Sequence, residues 1–169
     1  MTIIVTTTDD IDRPDESWKY PYVAAVIDFG SNIQIQVRKV SDAAVGYRIV
    51  PTIYVTNTDP GVLGFLDEFC ETHGIRPRLR ETETTYRLDI SRRDDVHALL
   101  KLVRPYVIAR SEPVEVLLKH LLPGLELGKH SDEDGFIELM GYVDEIRKHT
   151  ASSGDPKYDQ DYFRTEFGR

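Results

Sequence analysis

Twice along this chain, two stretches of period-two alternation flank a short polar link and run into a capped amphipathic helix. Asn32 to Val40 and Tyr47 to Asn57 alternate apolar and polar residues around the loop SDAAVG. Ile75 to Glu81 and Thr84 to Ile90 repeat the pattern. Such alternation marks half-buried strands, and the short links make each pair an antiparallel hairpin. After the first hairpin, Thr58 or Asp59 caps a helix with Pro60 at its first position, and Gly74 closes it. After the second, Ser91 caps SRRDDVHALLKLV, which Pro105 ends. A helix, PYVAAVID, precedes the first hairpin and stops at Gly30-Ser31. Two more helical stretches follow, Ser111 to Leu122 and Ser131 to Lys148, the latter with Ser131 as cap and Asp132 to Asp134 at the positive helix end. The order is α-ββ-α-ββ-α-α-α, an α+β fold whose helices cover one face of an antiparallel sheet.

A chain of 169 residues, 40% hydrophobic, builds one core of ordinary size. Residues 1–19 read as an arm, 20–150 as the domain with its C-terminal helices, and 151–169 as a tail. Ala151 to Asp155 is a linker, and Tyr158, Tyr162, Phe163 and Phe167 have the spacing of a short helix that docks on the body. The lone Cys70 rules out an internal disulfide and reads as a buried thiol. The five histidines show no metal-ligand spacing. No stretch has membrane-spanning length or the layout of a signal peptide, so no membrane partner and a cytoplasmic location are expected.

A net charge of −8 argues against a nucleic-acid partner on average, but the distribution reverses that. Ile33, Ile35, Val37, Ile49, Ile53 and Val55 share one face of the first hairpin; Asn32, Gln34, Gln36, Arg38, Arg48, Thr52, Tyr54 and Thr56 share the other. In the second hairpin Leu79, Tyr86, Leu88 and Ile90 point inward, and Arg76, Arg78, Arg80, Thr85 and Arg87 outward. The outward face carries six arginines against Asp89 alone, whereas a merely solvated face of so acidic a protein would carry Asp and Glu freely. Gln, Asn and Arg are also the side chains that make paired contacts to adenine and guanine edges in the major groove. The face reads as a duplex-DNA surface. Fourteen Arg against seven Lys in an acidic chain also suit a protein working in high salt.

The helix PYVAAVIDFGSN resembles the signature helix of the LAGLIDADG homing endonucleases, and the resemblance extends from Tyr20 to about Leu122. IYVTNTDPGVLGFLDEFCETHGI is similar to that family's second strand and following helix, and YRLDISRRDDVHALLKLVRPYVIARSEPVEVLL to its fourth strand, third helix and post-proline segment. The resemblance implies a saddle-shaped sheet laid in the major groove. It also implies, since the chain holds one copy of the motif, a homodimer on a pseudo-palindromic site. Two signature helices would then pack about a two-fold axis, with Val23, Ala24, Ala25, Ile27 and Asp28 at the interface and the alanines allowing close approach.

One position departs from the family pattern. The motif ends in Ile-Asp, a small residue, Asp and Gly, the second Asp holding divalent metal at the helix foot; here the residues are Ile27-Asp28-Phe29-Gly30-Ser31. Aligned without a gap, Gly30 takes the metal-binding position; aligned on Gly-Ser, Phe29 does. Mg2+ requires oxygen ligands that neither residue supplies. Asp28 is then the sole acid for catalysis or metal, or a structural residue of the helix end. The resemblance further places Asn57 where the family keeps a polar residue ordering active-site water, and Arg110 where it keeps a cation near the scissile phosphate.

Three functions stay open on these residues: a dimeric DNA-binding protein whose cleavage is lost or weakened, requiring no cofactor; a Mg2+-dependent homing endonuclease using Asp28; and an RNA-binding protein like the family's intron maturases. The missing carboxylate favours the first over the second.

Overall fold

The computed structural model describes residues 15–150 and 156–169. A short 3-10 turn, Glu16–Trp18, leads into helix α1, Lys19–Ala25, whose last turn, Val26–Gly30, widens to π geometry and runs into strand β1, Ser31–Lys39. Strand β2, Tyr47–Asn57, precedes helix α2, Pro60–Thr72; strands β3, Arg78–Glu81, and β4, Tyr86–Ile90, precede helix α3, Arg93–Val103. Helices α4, Ser111–Val116, and α5, Leu122–Glu126, are joined by a wide turn, Leu117–Leu121. Helix α6, Glu133–His149, and the tail helix α7, Gln160–Glu166, complete the order. The sheet is antiparallel throughout, in the order β1-β2-β4-β3.

Period two puts Ile33, Ile35, Ile49, Ile53, Val55, Leu88 and Ile90 on the helix-covered face, where they are buried against Val23, Ala24 and Ile27 of α1, Leu63, Leu66 and Phe69 of α2, and Val96, Leu99, Leu100 and Val103 of α3. Leu79 departs from this expectation and is half exposed, because β3 is a four-residue edge strand beyond the reach of the helices. Tyr47 closes the other end of the core through the tail: it meets Phe163 edge to face, and its hydroxyl contacts those of Tyr162 and the Glu166 carboxylate.

Local chemistry sets the helix starts, with three corrections to the expected boundaries. Asp59 caps α2, accepting the Gly61 amide at 2.8 Å, with Pro60 next in line. Asp132 rather than Ser131 caps α6, accepting the Gly135 amide at 2.8 Å, because Ser131 closes a 3-10 turn and Asp132 is the extended residue before the helix. Ser91 lies one residue too early to cap α3; Arg92 holds that position without a side-chain bond. Helix α1 starts two residues before Pro21, a first-turn position where a missing N–H costs nothing, and Trp18 stacks on Phe65 of α2. No described helix is long and apolar enough to cross a membrane.

Burial, with Asp67 and Asp95 nearby, pushes the Cys70 thiol up to about 12, and the bond to Tyr162, burial and Glu166 raise the Tyr47 hydroxyl above the usual tyrosine range. Both groups then hold their protons more tightly folded than unfolded. The stabilisation is complete below the ordinary thiol value of about 8.5 and is lost as pH rises above it. Urea midpoints are expected to fall from about pH 9 upward; an unchanged midpoint at higher pH would contradict the burial of Cys70.

Candidate nucleic-acid interface

The face of the sheet opposite the helices is built row by row from the strand register. Arg38 lies directly across from Arg48, Gln36 from Val50, Gln34 from Thr52 and Asn32 from Tyr54. Tyr54 in turn faces Asp89, which faces Arg78; Thr56 faces Arg87, which faces Arg80. Like charges directly opposite each other destabilise a sheet, and this face holds two such pairs, Arg38 with Arg48 and Arg80 with Arg87. Solvation alone gives no reason to place them so.

The side chains are linked in a relay along β1, where Gln36 bonds Arg38 and donates to Gln34 at 3.2 Å. Arg48 reaches the Asp42 carboxylate at 3.3 Å in the hairpin loop. Arg87 Nε donates to Asp89 Oδ1 at 2.8 Å, its Nη2 lies in ion-pair contact with the same oxygen at 2.8 Å, and its guanidinium lies 3.7 Å above the Tyr54 ring. Arg80 Nε comes within 3.1 Å of Asp89 Oδ2. Arg78 forms no ion pair among the described residues. Three residues expected on the face sit differently. Thr52 is buried beneath its neighbours. Thr85 belongs to the turn before β4, bonded to Thr82. Arg76 is exposed but precedes β3, its amide donating to Asp95.

At the foot of α1 the wide turn buries Asp28, and its carboxylate is filled by backbone donors. The Ile108 amide donates to Oδ2 at 2.8 Å and the Arg110 amide to Oδ1 at 3.0 Å. Arg110 returns the contact, its Nε donating to the Asp28 carbonyl at 3.1 Å and its Nη2 to the Ser31 carbonyl at 2.8 Å. Asn57 accepts the Asp59 amide at 2.9 Å and so shapes the turn into α2. All three candidate catalytic residues therefore hold chain segments together. The foot does not fit a divalent cation: Phe29 and Gly30 offer no side-chain oxygen, Asp28 is 7% exposed and bonded on both oxygens, and the described residues contain no cluster of three acidic, histidine or cysteine side chains. A Cβ at Gly30 would meet only Val26, at 3.5 Å, so an acid could have been accommodated there.

The outer stripe of α1 corrects the expected dimer residues. Val23, Ala24, Ile27 and Asp28 are buried within their own chain, because i, i+1, i+4, i+5 spacing turns them all to the core. Ala25 alone of that set is exposed, flanked by Tyr22 and by Phe29, which is 81% exposed. Ile108, whose amide Asp28 holds, is equally exposed. Phe29 was legible only as a vacancy in the metal position; the i, i+3, i+7 spacing of Tyr22, Ala25 and Phe29 was the signal for an outward apolar stripe. Asp89 was legible as an exception in charge, not as a ligand to two arginines.

No family model and no curated protein matches the sequence. Solved structures do. An archaeal intron-encoded homing endonuclease, I-Vdi141I, complexed with DNA, superposes with a TM-score of 0.77 at 21% identity over 89% of this chain and 95% of that one. I-CvuI in complex with the I-CreI target in the presence of Mg gives 0.76 at 13% identity over 90% and 96%. The I-SmaMI LAGLIDADG homing endonuclease bound to cleaved DNA gives 0.67 at 18% identity over 90% of this chain but 47% of that one. The chain has the LAGLIDADG homing endonuclease fold.

Proposed function

We propose that the chain binds duplex DNA site-specifically as a homodimer through the arginine face of its sheet, and holds it without cutting it. The observation that carries the reading is the pair of like-charge rows, Arg38 across from Arg48 and Arg80 across from Arg87. A polyanion on that face relieves the repulsion between Arg38 and Arg48, of which Asp42 pairs only Arg48, and meets the positive charge that one Asp89 leaves on Arg80 and Arg87. Sheet or β-ribbon elements are among those that enter the major groove. Gln34, Gln36 and Asn32 on the same face supply base-edge contacts, and the arginines supply phosphate and guanine contacts. The similar structures named above hold DNA, in line with this use of the fold.

Loss of cutting rests on the foot of α1: neither alternative metal position carries an acid, and Asp28 spends both oxygens on backbone amides. Mg2+ accordingly has no part in this reading. An RNA partner finds less support, since base stacking needs open aromatic faces and Arg87 covers the ring of Tyr54.

A second copy is proposed as the occupant of the Tyr22, Ala25 and Phe29 stripe. One chain spans about half of I-SmaMI, so two copies supply an equivalent pair of sheets. Replacing Ala25 by Arg and Phe29 by Glu is expected to leave a folded monomer that binds a half-site with at least tenfold lower affinity than the wild type shows for the whole site. Sedimentation with and without DNA checks this. A wild type that stays monomeric on its selected duplex would overturn the dimer.

A further inference from the structure

Asp89 is the sole acid among the strand residues of a face otherwise suited to phosphate, and it is 5% exposed. A carboxylate there weakens attraction for DNA, and burying it is costly unless it is paired. Its pairing is specific. Arg87 donates its Nε to Oδ1 at 2.8 Å, holds Nη2 in ion-pair contact with the same oxygen at 2.8 Å, and places its guanidinium carbon 3.7 Å over the ring of Tyr54, the residue across from Asp89 on β2. Arg80, two positions along β3 from the residue facing Asp89, brings Nε to 3.1 Å of the other oxygen. Oδ2 has no aligned hydrogen-bond donor.

We propose that Asp89 is a positioning residue that sets sequence specificity, holding Arg87, and with it Arg80, extended as readers of guanine edges in each half-site. The proposal rests on the DNA-binding reading above. Arginine has five N–H donors in a planar fork. Arg87 spends Nε on Asp89, with Nη2 beside the same oxygen, and keeps outer hydrogens on Nη1 and Nη2 that can meet guanine O6 and N7. Tyr54 below and Asp89 beside it fix the plane of the guanidinium before DNA arrives, so less side-chain freedom is lost on contact. Without Asp89 the same two arginines would swing to the nearest phosphates, which carry no sequence information.

The two roles predict opposite signs. As a plain residual charge, Asp89→Asn should strengthen binding to every duplex. As a positioning residue, it should weaken binding to the selected site by about tenfold or more while random-sequence binding stays level or rises. The salt dependence should also steepen, by about 0.9 in logarithmic slope for each arginine that moves to a phosphate. The test starts from a site selected by the wild-type chain out of a randomised duplex pool. Affinities for that site and for a scrambled duplex are then measured for wild type, Asp89→Asn and Arg87→Lys. Arg87→Lys keeps the charge but lacks the fork, so it should relax the guanine preference at one position per half-site and lower the ratio of selected-site to scrambled affinity. It also serves if Asp89→Asn fails to fold. A selected site without guanine in each half, or a specificity ratio unmoved in the folded variants, overturns this proposal and leaves the DNA-binding reading intact. A wild type that binds no duplex removes both.

Discussion

Asp28→Ala is expected to cost the fold about 3–5 kcal/mol, lowering the melting temperature by roughly 10 °C, with DNA present or absent. The size follows from what the carboxylate does. It accepts the Ile108 and Arg110 amides at 2.8 and 3.0 Å, and it is buried. Truncation leaves two backbone donors unpaired beside an arginine whose own contacts depend on that segment's position. Asp28→Asn should fall between, since one amide oxygen can replace only one of the two acceptors. A ligand kept for metal alone would behave otherwise: its loss would leave the melting temperature unchanged or higher. Thermal unfolding of the two variants separates the roles.

Replacing Arg38, Arg48 and Arg78 together by Ala is expected to reduce affinity for duplex DNA at least roughly a hundredfold at physiological salt and to flatten the logarithmic salt slope by about 5, six contacts in the homodimer at about 0.9 each. Folding stability should hold or rise, because the change removes the repulsion between Arg38 and Arg48. Binding titrations across a salt series, with urea melts of the same proteins, check both signs. A variant that binds as well as the wild type would remove the sheet face from the interaction.

The order of elements was readable from the chain because its signals are local. Alternation over Asn32 to Val40 and over Tyr47 to Asn57, Asp59-Pro60 at a helix start and Gly74 at a helix end each act within a few residues. Errors came where tertiary contacts decide. The alanines of α1 read as a helix-pairing surface, yet Ala24 turns inward and packs in its own core. Arg110, placed by the resemblance as a cation near the scissile phosphate, bonds the carbonyls of Asp28 and Ser31, 82 and 79 residues earlier, and no spacing rule reaches that far. Thr52 read as a contact residue from its parity alone; burial depends on its neighbours across the sheet. Asp89 read as an exception because a sequence shows a charge without its partners.

Grip on duplex DNA by the arginine face, and the absence of cutting at the foot of α1, can be read in one sample. The most direct measurement incubates the full chain, in excess, with its selected duplex and Mg2+ or Mn2+, then resolves the same sample on native and denaturing gels. The predicted result is a fully shifted complex whose two strands remain intact. Strand scission by the wild type, lost in an Asp28→Asn protein that still binds, would contradict the account and make Asp28 a metal ligand.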